Sequence, residues 1–365
     1  MKAPRAGVVG AGLLGARHAR AYAERPDVRL VAVCDLDRGR AEAVAARHGA
    51  RGFVEVEEML RAGVDVVSVA TPDHAHYAPA AACLEAGAHV MVEKPLAFDP
   101  AEARALAARA ADARRVLMVN YSQRWLPEHR RVEALLAGGA LGDVAFIESH
   151  RWDAAWVPRR MIAPWAARTT PIHFMSSHDI DLILAWTGAR VRSAYALRHA
   201  GALAQDGVVD GFQALLRLDG EAAASLHSSW LMPDTFPAAA DARLEIIGSR
   251  GSLFLDGNAR EMHLFAPQHR ERVAFGGPKT ADEVNGRLAG AFVESLGEFL
   301  RAAASADLAA PTSAARTLQV VDVQAAILES AGTGRVIELA PEAHPEAPPE
   351  GRTRPGGETL RGERA

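Results

Sequence analysis

The amino-acid sequence predicts an α/β fold with a doubly wound parallel sheet over residues 1–122, then an α+β domain with a largely antiparallel open sheet over 123–340. Three observations predict this. A glycine turn, Gly10, Gly12 and Gly15, separates a short apolar run from an Ala-rich helical segment. Four further apolar runs then alternate with helical segments up to residue 119, the spacing of βαβ units. From residue 191 to 275, strand-like runs follow one another across turns without intervening helices, as in antiparallel sheets.

The opening segment reads strand, tight turn, helix. Gly10 permits the turn, Gly12 lets a diphosphate approach the backbone, and Gly15 lets the helix pack on the strand, the dinucleotide fingerprint of a Rossmann sheet. The N–H groups that open the helix, at Leu13 and Leu14, face the anion. Asp35 stands 20 residues after Gly15 at the end of the second apolar run. A carboxylate there accepts hydrogen bonds from the adenosine ribose and repels a 2′-phosphate, which favours NAD over NADP.

Helical patterns follow at 38–48 and 54–61, and a buried strand at 64–70 stops at Thr71 and Pro72. A helix at 77–86, a strand at 88–92 closed by Glu93-Lys94-Pro95, a helix capped by Asp99 and a strand at 116–119 complete the alternation. Ligands of doubly wound sheets bind at strand carboxyl ends, so Gly10, Asp35, Thr71, Glu93 and Asn120 are expected to line one crevice. Beyond residue 125 the pattern gives a helix at 130–136, an extended run at 144–152, a loop rich in Trp, Arg and Pro at 153–171, and a helix from about 174 to 186 ending at Gly188. Strands are expected at 208–218, 222–230, 242–247, 252–255 and 262–265, and helices at 288–304 and 313–331, the first packing back on the nucleotide domain. Residues 341–365 carry almost no large apolar side chain and read as a disordered tail.

Composition bounds the partners. With 49% apolar residues, 24% charged residues and a net charge of −4 over 365 residues, the chain has no bias toward nucleic acid. No apolar run suits a membrane span or a signal peptide, so a cytoplasmic location is expected. Cys34 and Cys83 read as buried free thiols, and no cluster of metal ligands is expected, because His74 and His76 have no third ligand nearby. Of 41 basic residues only Lys2, Lys94 and Lys279 are lysines, so a lysine at an apolar strand end invites a chemical explanation.

The glycine turn, Asp35, Thr71-Pro72 with His76, Glu93-Lys94-Pro95, Asn120 with Arg124, His178 with Asp181, and the segment from Leu244 to Gly251 together resemble the Gfo/Idh/MocA oxidoreductase family over roughly residues 5–340. The resemblance implies NAD- or NADP-linked oxidation or reduction of sugars, inositols and related polyols, with Lys94 and His178 at the chemistry and the strand-end residues, His76 included, around the cofactor. Family dehydrogenases often carry an aspartate four residues before the histidine; here that position is Phe174, preceded by His173.

The residues support this independently. Oxidising a secondary alcohol leaves a proton to be removed, and a lysine whose pKa is depressed by burial or a neighbouring cation suits that task. His178 and Asp181 are three apart at a helix start and share a face, so the carboxylate is placed to orient the imidazole, with His173 as the other candidate partner. Arg124, Trp152, Trp165 and Arg168 suit a sugar ring with an anionic group. A homodimer or homotetramer is expected, formed through the second-domain sheet. Two other readings of the same residues are an NAD-recycling enzyme that cleaves glycosidic bonds and a dinucleotide-binding metabolite sensor; Lys94 argues against the sensor.

Overall fold

The computed structural model describes residues 3–236, 238–267 and 269–340, so the tail at 341–365 lies outside the described residues. Strands β1 (Arg5–Val9), β2 (Arg29–Cys34), β3 (Arg51–Phe53), β4 (Val66–Val69), β5 (His89–Val92) and β6 (Leu117–Val119) form a parallel sheet in the order β3-β2-β1-β4-β5-β6. The helices between them are α1 (Leu13–Ala23), α2 (Arg38–Arg47), α3 (Val56–Arg61), α4 (Tyr77–Glu85) and α5 (Pro100–Asp112). Asp37 and Asp99 cap α2 and α5 by accepting from the N–H groups of Arg40 and Ala101. Chain order reverses beside β1, and ligands of such sheets bind at that switch point.

The strand β3 is the one element of this sheet that the sequence pattern misses. It is three residues long and contains Gly52, which weakens its apolar signature. A Cβ on this glycine would press on the backbone of Glu42 in α2 at 3.0 Å, so the small residue suits the close approach of helix and strand.

After α6 (Pro127–Ala137), a second sheet is built from β7 (Val144–Ala154), β8 (Val191–His199), β9 (Gly211–Leu218), β10 (Ala223–Met232), β11 (Ala240–Gly248), β12 (Ser252–Asp256), β13 (Glu261–Ala266) and β14 (His269–Ala274), with a small hairpin β15 (Asp282–Val284) and β16 (Arg287–Ala289) apart from it. Its neighbours are antiparallel except β7 and β10, which run parallel. The helix α7 (Ser177–Thr187) lies between β7 and β8 in the chain, and α8 (Ala291–Ser305), α9 (Ala314–Thr333) and the edge strand β17 (Ile337–Glu338) close the described chain.

One face of this sheet is covered by helices; Ser330 of α9, for example, accepts from Ala196 N at 2.9 Å. The other face leaves Phe146, Trp152, Leu197, Leu215 and Leu231 exposed. The helix α8 does not stay with the second sheet. Its Phe292, Leu296 and Phe299 are buried among Val8, Tyr22, Val33 and Met118 of the first, as its apolar stripe predicts. No helix among the described residues is long and apolar enough to cross a membrane.

Candidate active site

The glycine turn has the geometry of an anion cradle. Gly10 sits at φ +94°, and a Cβ there would reach the Ala70 carbonyl oxygen at 2.5 Å. On Gly15 a Cβ would collide with the Gly10 carbonyl oxygen, so helix and strand touch as closely as backbone allows. Gly12 differs, since a Cβ on it would meet nothing within 4 Å. Gly12 is also the N-cap of α1 and no side chain caps this end, which leaves the first-turn N–H groups at Leu13 and Leu14 as donors toward that open space. These features fit a dinucleotide diphosphate.

Asp35 follows β2 at the same crevice. Its carboxylate accepts from Ala11 N at 2.7 Å, Asp37 N at 2.8 Å and the Arg40 guanidinium at 2.8 Å. Burial pushes its pKa upward, but these hydrogen bonds outweigh it and hold the group below its ordinary value. Asp35 is therefore ionised and rigid, and the cation beside it is Arg40; Arg38 reaches Glu42 instead.

Behind the turn at Glu93-Lys94-Pro95 lies a buried polar network. Glu93 Oε1 accepts from Asn120 Nδ2 at 2.7 Å and contacts His18 Nε2 at 2.9 Å, and Asn120 Oδ1 accepts from Ser295 of α8 at 2.8 Å. The side chains of Glu93 and Asn120 are thus engaged with each other and with His18 and Ser295. His76 sits in the neighbouring loop. It is 1% exposed, with Nδ1 2.6 Å from Pro95 O and Nε2 3.1 Å from Thr71 O, so it braces the Thr71-Pro72 turn against the lysine loop. Thr71 Oγ1 donates to Ala75 O at 2.9 Å and Pro72 precedes a short helical turn, so here the backbone of the turn borders the crevice.

Lys94 reaches across to the second domain. Its Nζ donates to Phe174 O at 2.5 Å and lies 4.2 Å from the centroid of the Phe174 ring. That carbonyl belongs to a wide π-type turn, Ile172–Ser176, which replaces the expected first turn of α7; such turns are frequent at functional sites. Burial lowers the Lys94 pKa, and Glu93, Asp73 and Asp153 offset part of the effect.

His178 follows in the first turn of α7, with its ring 6.1 Å from that of Tyr121. Burial, then the cations Lys94 and Arg151, drives its pKa well down, so the imidazole is neutral, and Nδ1 has no partner. Asp181 does not orient it. Its carboxylate is paired with Arg124 through bonds of 2.7 and 2.5 Å, and Arg124 also donates to Pro311 O. His173 does not replace it either. It stacks on Phe98 at 3.7 Å, and burial pushes its pKa down to about 3.

Two residues near Lys94 were missed by the sequence reading. On β7, Arg151 donates to Asp179 at 2.8 Å and to Gln123 at 2.9 Å, and Asp153 is 7% exposed with its pKa raised by burial to about 6. Trp152 between them faces the opposite side of the sheet and stacks on His150, which corrects its placement among substrate-binding residues. The alternation of side chains along a strand was the available signal. Trp165 packs with Ile162, Met175 and Trp230 in a separate apolar cluster, and Arg168 lies 3.3 Å from His74, beside the Thr71-Pro72 turn. Among the described residues no group of three or more His, Cys, Asp or Glu could hold a metal.

Two family models match the chain. One, described as an oxidoreductase family with an NAD-binding Rossmann fold, covers residues 4–121, and the Gfo/Idh/MocA C-terminal domain covers 129–254. The inositol 2-dehydrogenase 1 of Saccharopolyspora erythraea is 41% identical over 148 residues, 39% of this chain and 44% of that protein. The UDP-N-acetylglucosamine 3-dehydrogenase of Acidithiobacillus ferrooxidans is 33% identical over 228 residues, 62% of this chain and 66% of that protein. The matched segments thus span less than two thirds of these relatives' own length. Among solved structures, an oxidoreductase of Agrobacterium radiobacter in complex with NAD+, L-tartaric acid and magnesium aligns with a TM-score of 0.82 at 20% identity, covering 92% of this chain and 98% of that one, a likeness of fold. A structure of the Acidithiobacillus ferrooxidans enzyme aligns at 0.75 and 25% identity over 90% of this chain and 98% of that one.

Proposed function

The chain belongs to the Gfo/Idh/MocA oxidoreductase family, and from that premise we propose that it is an NAD-dependent dehydrogenase acting on a secondary alcohol or ketone of a sugar, inositol or related polyol. The observation that carries this reading is Lys94. It stands at the carboxyl end of β5, in the crevice that the glycine turn opens, with its charged form disfavoured by burial. When bound, NAD supplies the hydride acceptor, held by the backbone of Gly10 to Gly15 and by Asp35.

Lys94 in its neutral form takes the hydroxyl proton as the carbon is oxidised, and as ammonium it returns a proton to the carbonyl oxygen in the reverse direction. The Phe174 carbonyl and ring hold Nζ in place between turnovers. His178, neutral, serves as a hydrogen-bond partner to the substrate rather than as a proton carrier, with the Arg151 charge acting on it from the second domain.

The test is a screen of polyols, aldoses and their acids with NAD, followed by NADH absorbance. Accumulation of NADH with a polyol or sugar is expected. Product formation without NADH accumulation would assign the chain to cofactor recycling, and silence across the panel would remove the proposal. The exposed apolar face of the second sheet supports association into a homodimer or homotetramer. A monomer by light scattering at micromolar concentration would refute that part.

A further inference from the structure

The charges that act on Lys94 are those of three carboxylates, Glu93, Asp73 and Asp153, which favour its ammonium, and of the Arg151 guanidinium, which opposes it. Two of the carboxylates are held by donors. Glu93 is bound by His18 and Asn120, and Asp73 accepts from Thr169 Oγ1 at 2.5 Å and from His74 N at 3.1 Å. Both also belong to the first domain, on the same side of the crevice as the lysine itself.

Asp153 is different on each count. It comes from β7 of the second domain, on the inward face that it shares with Arg151. The strand sets it firmly, since Ala154 N donates to Ala239 O at 3.0 Å and Ala155 N to Met232 O at 3.0 Å. Its neutral neighbour is Trp230, wholly buried, whose indole Nε1 lies beside the carboxyl outside normal hydrogen-bond geometry. Trp230 in turn meets the Phe174 ring at 6.2 Å, and Phe174 holds Lys94, so these three side chains form one wall, with Asp153 next to Trp230 where β7 and β10 pair. The charged groups facing Asp153 are Arg151, Lys94 and Asp179, and Asp179 is occupied by Arg151.

We propose that Asp153 is the positioning residue that sets the proton affinity of Lys94 across the domain junction. The proposal rests on Lys94 being the base. As the substrate O–H bond breaks, Nζ takes the proton while the carbon bearing that oxygen gives up its hydride, for which bound NAD would be the acceptor, and the new ammonium faces the Asp153 carboxylate. In the reverse direction the ammonium gives that proton to the carbonyl oxygen. An ionised Asp153 favours the ammonium, and protonation of Asp153, whose pKa is raised to about 6, withdraws that support.

The scarcity of lysine allows a test that needs no substrate. Acetic anhydride labels only neutral amines, so the rate of Lys94 acetylation against pH, read by peptide mass spectrometry, reports its titration, with Lys279 as internal reference. In Asp153→Asn the Lys94 profile should move to lower pH by about one unit, since a facing charge has been removed, and the two proteins should converge below about pH 6, where Asp153 is itself protonated. Lys279 should not move. Once a substrate is known, the acid limb of kcat/KM for oxidation should shift by the same amount while NAD binding is retained. An unmoved Lys94 profile in a folded Asp153→Asn protein overturns the proposal. Full activity of Lys94→Ala overturns instead the reading of Lys94 as the base, and leaves the labelling shift standing.

Discussion

Asp35 is a half-buried aspartate after β2 and Asp153 an almost wholly buried one on β7, and their environments drive them in opposite directions. Asp35 is met by two backbone N–H groups and a guanidinium, which hold it ionised against the cost of burial. Asp153 has charges nearby but no donor in normal hydrogen-bond geometry, and burial prevails, raising its pKa to about 6. Direct hydrogen bonds and partial contact with solvent keep Asp35 charged, whereas Asp153 has neither and burial prevails. On the proposed function, the end that would hold the cofactor carries fixed charge and the end at Lys94 carries charge that changes.

The strongest way to break this division is at Lys94. Lys94→Ala should lower turnover ~100-fold or more with NAD still bound, and Lys94→Arg should fail almost as badly because guanidinium keeps its proton. Near-normal turnover in the arginine variant would move the base elsewhere. In wild type, kcat/KM for oxidation should rise with pH through the Lys94 pKa, because only the neutral amine accepts a proton, and this limb should lie below the range of an ordinary lysine.

Asp153 sharpens the contrast through stability. Its folded pKa is raised above the unfolded value, so the folded state binds the proton more tightly, and this stabilising contribution is present at low pH and lost as pH rises through about 6. Asp153→Asn, which carries no charge to bury, should therefore gain on wild type in thermal unfolding between pH 4 and pH 7, by on the order of 2 kcal/mol. A constant difference across that range would show that the carboxyl does not titrate in it.

At the fixed end, Asp35→Ala should narrow the preference for NAD over NADP about tenfold, by removing a carboxylate that would oppose the 2′-phosphate and releasing Arg40. The ratio of kcat/KM values for the two cofactors measures this, and an unchanged ratio would assign the selectivity elsewhere. The smallest effect is expected at His178. His178→Asn keeps a donor and should cost less than about tenfold in kcat, with little change in the pH profile. A loss as large as that of Lys94→Ala would make the histidine a proton carrier.

Much of this was legible in the sequence for local reasons. Glycine spacing, strand-helix alternation and the strand-end positions of Asp35, Thr71 and Lys94 depend on neighbours a few residues away, and the parallel sheet follows from them. Strand β3 escaped because it is three residues long and interrupted by Gly52, and the π-type turn at Phe174 because the Lys94 that reaches it comes from 80 residues away.

The sequence by itself thus determined the two architectures, the cradle at Gly10 to Gly15 and the lysine at the end of β5. Only the tertiary structure decided who pairs with whom. Asp181 could face His178 three residues away, yet it is held by Arg124, 57 residues distant, and Lys94 is held by a carbonyl 80 residues distant. Side-chain type and spacing restrict the candidates, but charge pairing falls off with distance in space and depends on burial, and both are set only when the two sheets and α8 come together.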